Sequence, residues 1–262
     1  MALAFLLSPR AHPTLAPGLE EVLVEGADRA GPALYVYRWS QPALVLGYGQ
    51  RADEIDLDAC RADGVTVVRR RTGGTGVYVN GDLGVSLALP RAHPWARTLG
   101  GLYDRFLDVL SDALAEVGQP TERVSADGEA PPRSPICFEG QLRESLLIDG
   151  RKAVGCAQMR RPHGVLVHAT LLLGLDAGAQ ARAFGVPAAR VQAGLAPLSI
   201  AARDPESLIA AIARGFSRAL ELPLDARPLP VVPEQLSERY AEPRWCPVPP
   251  RSTVVATPPP AA

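Results

Sequence analysis

Two blocks of strand-like sequence, separated by one amphipathic helix, restrict the folds open to this chain more than any other feature. The first block, residues 32–90, is rich in β-branched and aromatic residues interrupted by short turns. The second block, residues 144–173, has the same character. Between them, apolar residues recur every three or four positions over 96–118, which predicts a helix. Because strands and helices are grouped, we predict an α+β domain with mixed or antiparallel sheets packed with helices.

Turn and cap signals divide the rest of the chain. Asn80-Gly81 and Asp149-Gly150 are favoured hairpin turns. Asp204 followed by Pro205 predicts the start of a second helix. After Pro223 prolines become frequent, and we expect that segment to be extended or disordered. The domain prediction is therefore a catalytic domain over 1–225 and a short C-terminal extension with a Pro-rich tail over 226–262.

The overall charge excludes some classes of partner. The 262 residues carry 27 basic and 28 acidic side chains, a net charge of −1, which argues against nucleic-acid binding. No apolar run approaches the roughly 18 residues of a membrane span. The opening MALAFLL is too short for a signal peptide and has no basic residue before its apolar stretch. We expect a cytoplasmic protein whose partners include neither nucleic acid nor a membrane.

Lysine is almost absent from the sequence. Of the 27 basic residues 26 are arginine, and the one lysine is Lys152. A lysine that persists against such a bias indicates a site that needs a compact ammonium rather than a planar guanidinium. Chance alone also explains one stray lysine, so the count by itself leaves both interpretations open.

A basic, glycine-rich segment follows one predicted strand. It reads RRRTGGTG, from Arg69 to Gly76. The glycines allow close backbone approach to a ligand, and successive N–H groups form a concavity that suits a phosphate, a carboxylate or an adenylate. A solvated charge run before a tight turn is an equally good interpretation of the motif alone.

Four cysteines are scattered without a CxxC pair, so we expect free thiols and no bound metal. Cys137 precedes Lys152 by 15 residues, and a neighbouring ammonium favours the nucleophilic thiolate. Cys156 alternates with Lys152 and is predicted to share its face of a strand. Cys60 and Cys246 are interpreted as buried small hydrophobes.

His168 lies in an apolar predicted strand. A histidine in such a place is more often a core residue with its hydrogen bonds satisfied than a catalytic base.

Taken together and in order, these motifs resemble the biotin/lipoate protein ligase catalytic family. The resemblance covers about residues 15–225. WSQPALVLGYGQ, from Trp39 to Gln50, is similar to the family's tryptophan–proline–strand segment. The glycine-rich motif is matched at Arg69, Arg70, Thr72, Gly73, Gly74 and Val77, and the Gly-Arg-Lys motif at Gly150, Arg151, Lys152, Gly155, Ala157 and Gln158.

The resemblance implies a set of roles. Lys152 corresponds to the family's substrate-binding lysine, and Cys137-Phe138 resembles the Cys-Phe pair of cysteine-dependent octanoyltransferases. The implied catalytic residues are Cys137 and Lys152. The implied substrate-binding residues are Arg69, Arg70, Thr72, Gly73, Gly74, Gly76, Val77, Gly155, Ala157, Gln158 and His168. Cys156 stands where the family has a serine, and we expect it to point into the acyl pocket without reacting.

The family contains competing chemistries. Cysteine-dependent transferases take octanoate from acyl carrier protein through an acyl-cysteine, without a cofactor, and pass it to a lysine of lipoyl carrier domains such as the glycine cleavage H protein and 2-oxoacid dehydrogenase E2. Lipoate–protein ligases instead use ATP and Mg²⁺ to form an acyl-adenylate. The Cys-Phe pair favours the transferase. An octanoyl amidotransferase between carrier domains and a catalytically silent acyl- or carrier-binding module are the remaining alternatives.

Overall fold

The computed structural model of the chain describes residues 1–124 and 144–251. The strands are β1 (Leu3–Ala11), β2 (Ala33–Trp39), β3 (Ala43–Leu46), β4 (Thr66–Arg69), β5 (Val77–Val79), β6 (Leu83–Pro90), β7 (Glu122–Arg123), β8 (Ser145–Ile148), β9 (Arg151–Arg161), β10 (Gly164–Leu171) and β11 (Leu224–Ala226). The helices are α1 (Ala16–Ala30), α2 (Leu57–Asp63), α3 (Leu99–Glu116), α4 (Ala177–Phe184), α5 (Ala188–Gly194), α6 (Pro205–Leu220) and α7 (Glu234–Arg239).

The described strands form two mixed sheets. The larger has the order β11-β1-β2-β6-β10-β9-β8-β7, with β1 parallel to both β11 and β2 and the remaining pairs antiparallel. The smaller has the order β4-β3-β5, with β3 parallel to β4 and antiparallel to β5. This architecture confirms the predicted α+β class with mixed sheets.

Each face of the larger sheet covers its own core, because strand side chains alternate between the faces. On one face Val165, Val167 and their neighbours pack against α3 and α6, where Phe106 and Phe216 lie 5.3 Å apart between ring centroids. We call this face the helix side. On the other face Tyr35 and Tyr37 pack with α1 and the smaller sheet. We call this face the pocket side, because the candidate site lies there.

Local signals in the sequence place several elements correctly. Asp149-Gly150 closes the predicted hairpin between β8 and β9, with positive φ at Asp149 (49°) and Gly150 (69°). Asn80-Gly81 is a turn with positive φ at Gly81 (76°), but the predicted hairpin there is wrong, because the turn leads from β5 in the smaller sheet to β6 in the larger one. The predicted helix over 96–118 is α3, which begins after Thr98, whose side chain accepts from the N–H of Gly101 at 3.1 Å. Asp204 caps α6 as predicted, accepting from the N–H of Ser207 at 3.0 Å.

The segment after Pro223 is folded, which contradicts the expectation that it is extended or disordered. β11 adds a parallel strand beside β1. Further along, Tyr240, Trp245 and Val248 are buried in the pocket-side core. The backbone there also pairs with β4, because the N–H of Arg69 donates to the carbonyl of Trp245 at 2.8 Å. Burial of these three apolar side chains therefore keeps the segment folded through residue 251 despite its prolines. Residues 252–262 lie outside the described residues.

A buried carboxylate joins the turn before β6 to the end of β10. Asp82 accepts from the N–H groups of Asn80 and Leu173, each at 2.8 Å. Burial, partly offset by these hydrogen bonds, raises its pKa to about 6.

Among the described residues, no helix is long and apolar enough to cross a membrane.

Candidate functional site

A pocket lies on the pocket side of the larger sheet, between α1 and the smaller sheet. Ala157 and His168, which are paired across β9 and β10, form part of its wall, and so do Gly155 and Thr170, the next pair on the same face of the sheet. The opposite wall is apolar and includes Val45 and Val77 of the smaller sheet, and Glu20, Tyr37 and Arg70 add polar groups. The site is thus an apolar pocket with a few convergent polar side chains, the usual composition of a small-ligand site.

The glycine-rich loop between β4 and β5 packs against the turn that follows β3. The N–H of Tyr48 donates to the carbonyl of Thr72 at 2.9 Å. A Cβ built on Gly47 would lie 1.8 Å from the carbonyl oxygen of Gly74, so only glycine fits there. Gly74 itself has a φ of 87°, a conformation that favours glycine. Gly73 and Gly74 are exposed, whereas Gly76 is buried.

The three arginines of the loop serve different parts of it. Arg70 is buried and lines the pocket. Its guanidinium donates to Thr72 Oγ1 at 2.9 Å and to the carbonyls of Val45, Gly73 and Thr75 at 3.0, 2.8 and 3.0 Å. Arg70 therefore holds the loop in place.

Arg69 and Arg71 contact the turn after β3 and the C-terminal segment. Arg69 donates to the carbonyl of Gly47 at 2.8 Å and to that of Arg244 at 3.2 Å. Burial, with the charge of Arg244 nearby, lowers the pKa of Arg69. Arg71 lies over the rings of Tyr48 and Trp245, at 5.6 and 5.4 Å from their centroids. These contacts fix the loop from its outer side.

A chain of hydrogen bonds links α1 to the loop through the pocket wall. Glu20 Oε1 accepts from His168 Nδ1 at 2.9 Å, and His168 Nε2 lies 2.9 Å from Thr72 Oγ1. Glu20 also accepts from Ser86 at 2.6 Å and from Tyr37 at 3.2 Å. Burial alone would raise the pKa of Glu20, but the charge of His168 and these three hydrogen bonds lower it. The carboxylate is therefore held ionised although it is buried.

Lys152 is buried at the start of β9, with 2% of its surface exposed. Its neighbours Ala153 and Val154 both pack on the helix side, because the strand bulges where Lys152 pairs with Leu147 and Val154 pairs with Leu146. The bulge breaks the alternation of faces, so Lys152 faces the pocket side while Cys156 packs on the helix side.

The prediction that Cys156 shares the face of Lys152 is therefore wrong. Cys156 contributes to the pocket wall, but its side chain packs against the helix-side core rather than into the pocket. Gln158, two residues further along β9, also turns to that side and donates to the carbonyl of Leu99 at 3.0 Å. The structure thus brings Gly155, Ala157 and His168 together with Arg70 and Val77, and leaves the Gln158 side chain apart from them.

Of the other three cysteines, the structure describes Cys60 and Cys246. Cys60 and Cys246 are buried, as predicted, and burial raises the pKa of each to about 11. Cys137 lies outside the described residues.

Within residues 1–124 and 144–251, no group of three or more His, Cys, Asp or Glu side chains could hold a metal ion.

The sequence analysis does not predict Glu20, which lines the pocket, or Trp245, which packs against the glycine-rich loop. Glu20 lies on α1, in a part of the chain for which the sequence patterns predict no element. The pair of acidic residues Glu20-Glu21 within an apolar stretch was the available signal. Both side chains are buried, and charged residues are seldom buried without a partner. Trp245 is not among the predicted site residues, because the prolines around it are typical of an extended or disordered segment.

Comparison with known proteins assigns the chain to a family. The family model of the lipoyl protein ligase A/B catalytic domain matches residues 12–205. Similar curated proteins include the octanoyltransferase LipM of Symbiobacterium thermophilum, 32% identical over 250 residues, which are 85% of this chain and 87% of that protein. The LipM of Anoxybacillus flavithermus is 32% identical over 200 residues, 72% of this chain and 71% of that protein.

Solved structures agree with this assignment at the level of the fold. A crystal structure of lipoate-protein ligase A bound with ATP has a TM-score of 0.75 at 21% identity, covering 92% of this chain and 94% of that one. A bipartite lipoate protein ligase from Thermoplasma acidophilum, studied with its E2 lipoyl domain, has a TM-score of 0.71 at 21% identity, covering 92% of each chain. Fold, pocket and relatives together define an acyltransferase enzyme. The chain belongs to the lipoyl protein ligase A/B catalytic domain family.

Proposed function

We propose that this enzyme transfers an octanoyl group from acyl carrier protein, through a thioester on Cys137, to a lysine of a lipoyl carrier domain. The LipM relatives, named octanoyltransferases, support the acyl group. The ligase from Thermoplasma acidophilum, studied with its E2 lipoyl domain, supports the acceptor. The reaction as proposed requires neither ATP nor Mg²⁺.

The assignment of the nucleophile to Cys137 rests on the resemblance of Cys137-Phe138 to the Cys-Phe pair of cysteine-dependent octanoyltransferases, and the length of the chain permits it. The described chain resumes at Glu144, whose carbonyl accepts from the N–H of Cys156 at 3.0 Å, beside Gly155 and Ala157 in the pocket wall. Cys137 precedes Glu144 by seven residues, and an extended chain of that length reaches at most about 25 Å. The covalent connection therefore allows the thiol to approach the pocket.

The chemistry divides into two balanced steps. The Cys137 thiolate attacks the carbonyl carbon of the donor thioester, a C–S bond forms, and the carrier's thiolate leaves and takes up a proton. The neutral amine of the acceptor lysine then attacks the acyl-cysteine and loses a proton as the amide forms, and the Cys137 thiolate is released. In this proposal the Lys152 ammonium favours the thiolate and stabilises the oxyanion of each tetrahedral intermediate.

The donor requirement tests this function. Purified enzyme should transfer octanoate from octanoyl-acyl carrier protein to an isolated lipoyl domain without ATP, and the mass of the domain should increase by one octanoyl group. Transfer that occurs only from free octanoate or lipoate with ATP and Mg²⁺ would assign the chain to the ligases. Reversible association with either carrier and no transfer would favour a binding module.

The contact between Gly47 and Gly74 gives a prediction about the loop. Gly47→Ala should displace the glycine-rich loop, because the new Cβ would overlap the Gly74 carbonyl. We expect kcat/KM for octanoyl transfer to fall on the order of 10²-fold, the size that a displacement of about 1 Å can produce. Gly49→Ala is the matched control, since a Cβ there meets no atom within 4 Å. Equal activity of the two variants would show that the loop geometry is irrelevant to transfer.

A further inference from the structure

Arginine side chains surround Trp245 beside the glycine-rich loop. The guanidinium carbons of Arg71, Arg239 and Arg244 lie 5.4, 5.8 and 6.0 Å from the centroid of its ring. Arg71 also lies 5.6 Å from the ring centroid of Tyr48, which is 6.1 Å from that of Trp245, so the two rings form one aromatic surface beneath it. We call Arg71, Arg239 and Arg244 the arginine cluster.

The positive charge of the arginine cluster exceeds the negative charge that faces it. In the part of the chain that the structure describes, the one carboxylate inside 4 Å of the cluster is that of Glu21, which accepts from Arg239 at 2.8 Å and lies 3.7 Å from Arg71 Nε. Glu238 and Glu242 are exposed, and neither pairs with an arginine of the cluster. Three positive charges therefore share one carboxylate, and an anion bound between them would reduce their mutual repulsion.

Two of the three guanidinium groups also have unused hydrogen-bond donors. Those of Arg71 and Arg244 donate to no acceptor among the described residues, and Arg71 Nε is buried without a hydrogen-bond partner there. The Arg71 side chain still keeps 20% of its surface exposed, and Arg244 is exposed. A guanidinium presents its N–H groups as a planar fork that matches the oxygens of a phosphate. The cluster therefore has the charge, the donors and the access that an anion site needs.

We propose that the arginine cluster binds a phosphate group, and that this phosphate is the one at the base of the prosthetic arm of the acyl donor. Octanoyl-acyl carrier protein holds its acyl thioester at one end of a phosphopantetheine arm and a phosphodiester at the other. A site for the phosphate should therefore lie apart from the acyl pocket, on an element that borders it. Arg71 meets this condition, because Arg70 lines the pocket while Arg71 lies on the outer side of the loop. The identity of the donor rests on the proposed function, whereas the anion site does not.

The C-terminal segment completes this site. Arg239, Arg244 and Trp245 lie beyond residues 12–205, the part of the chain that matches the family model. The backbone N–H of Arg69 donates to the carbonyl of Trp245 at 2.8 Å, and the Arg69 guanidinium donates to that of Arg244 at 3.2 Å. The segment is thus fixed to the glycine-rich loop, and it brings two of the three arginines to it.

Two small donors that differ only by the phosphate test the proposal. Octanoyl-4′-phosphopantetheine and octanoyl-pantetheine carry the same thioester, so the ratio of their kcat/KM values for acylation of a lipoyl domain measures what the phosphate contributes. In the wild type we expect a preference of roughly tenfold for the phosphorylated donor, the scale of one hydrogen bond to a charged group. In Arg71→Met, which keeps an apolar side chain over the two rings, the preference should fall to about twofold or less. A displaced loop would affect both donors and cancel from the ratio.

Arg251→Met is the matched control, because it removes the same charge from a different place. Arg251 donates to the carbonyls of Arg61 and Ala62, at 2.8 and 2.6 Å, before β4, whereas the arginine cluster lies beside the loop that follows β4. This variant should keep the wild-type ratio. A wild-type ratio near one, or an equal fall in Arg71→Met and Arg251→Met, would overturn the phosphate site.

Binding without transfer separates this proposal from the proposed function. Tryptophan fluorescence is titrated with 4′-phosphopantetheine and with pantetheine, and the change is assigned to Trp245, one of three tryptophans, by its loss in Trp245→Phe. We expect tighter binding of 4′-phosphopantetheine, with the difference lost in Arg71→Met. That result together with no octanoyl transfer in the wild type would refute the proposed function and leave the anion site standing. Equal affinity for the two probes would overturn the site, and Arg71-dependent binding of ATP but not of 4′-phosphopantetheine would overturn its assignment to the donor arm.

Discussion

Cys137→Ala is expected to abolish both the octanoyl adduct and the transfer to the acceptor lysine, because no other thiol is suited to replace it. Cys60 and Cys246 are buried with pKa values raised to about 11, and the Cys156 side chain packs against the helix-side core. Intact-mass spectrometry after incubation with octanoyl-acyl carrier protein measures the adduct. The same assay with a lipoyl domain measures transfer.

Cys156→Ser is the control for that prediction and should keep both activities. The substitution restores the residue that the family resemblance places there and changes a side chain that contacts the pocket only as part of its wall. Octanoate found on Cys156 by peptide mapping would contradict the assignment of the nucleophile. So would a Cys137→Ala protein that still transfers octanoate without ATP.

Lys152→Ala is expected to reduce octanoyl transfer on the order of 10²–10³-fold, as removal of an oxyanion-stabilising donor does. Lys152→Arg should fail similarly, because the planar fork is larger than the ammonium and Lys152 is buried. Lys152→Met keeps most of the side-chain volume and removes the charge. Its activity therefore separates the effect of the lost ammonium charge from the effect of a changed side-chain volume. Single-turnover rates with octanoyl-acyl carrier protein provide the measurement.

Arg161→Ala is the matched control on the same strand. Arg161 lies at the far end of β9 and pairs with Glu25 at 3.6 Å, away from the pocket. Its loss should leave the transfer rate near that of the wild type. Near-normal turnover of Lys152→Arg would show that the solitary lysine marks no special chemistry.

The elements that the sequence predicted are those governed by local signals. Turn pairs such as Asp149-Gly150 and caps such as Asp204 act within a few residues, and the structure contains them where they were expected. The strand-rich block over residues 32–90 likewise contains five strands, β2 to β6. These features depend on backbone preference and on alternation, both of which are visible in a single sequence.

The features that the sequence did not predict depend on distant partners. The bulge in β9 reverses the face of Lys152 relative to Cys156, and alternation alone cannot reveal an extra residue in a strand. Glu20 and His168 are 148 positions apart, so their contact follows only from the packing of α1 on β10. Trp245 similarly lies in the core because it contacts β4 and the Arg71 side chain, both of which are far from it in the sequence.

The intact mass of the wild-type enzyme after incubation with octanoyl-acyl carrier protein, in the absence of ATP, tests the central claim most directly. We expect a mass increase of one octanoyl group per chain, removable by hydroxylamine at neutral pH and mapped to the peptide that contains Cys137. The adduct should disappear when a lipoyl domain is added. An enzyme that stays unmodified with this donor, yet modifies the lipoyl domain when given free lipoate with ATP and Mg²⁺, would contradict the account.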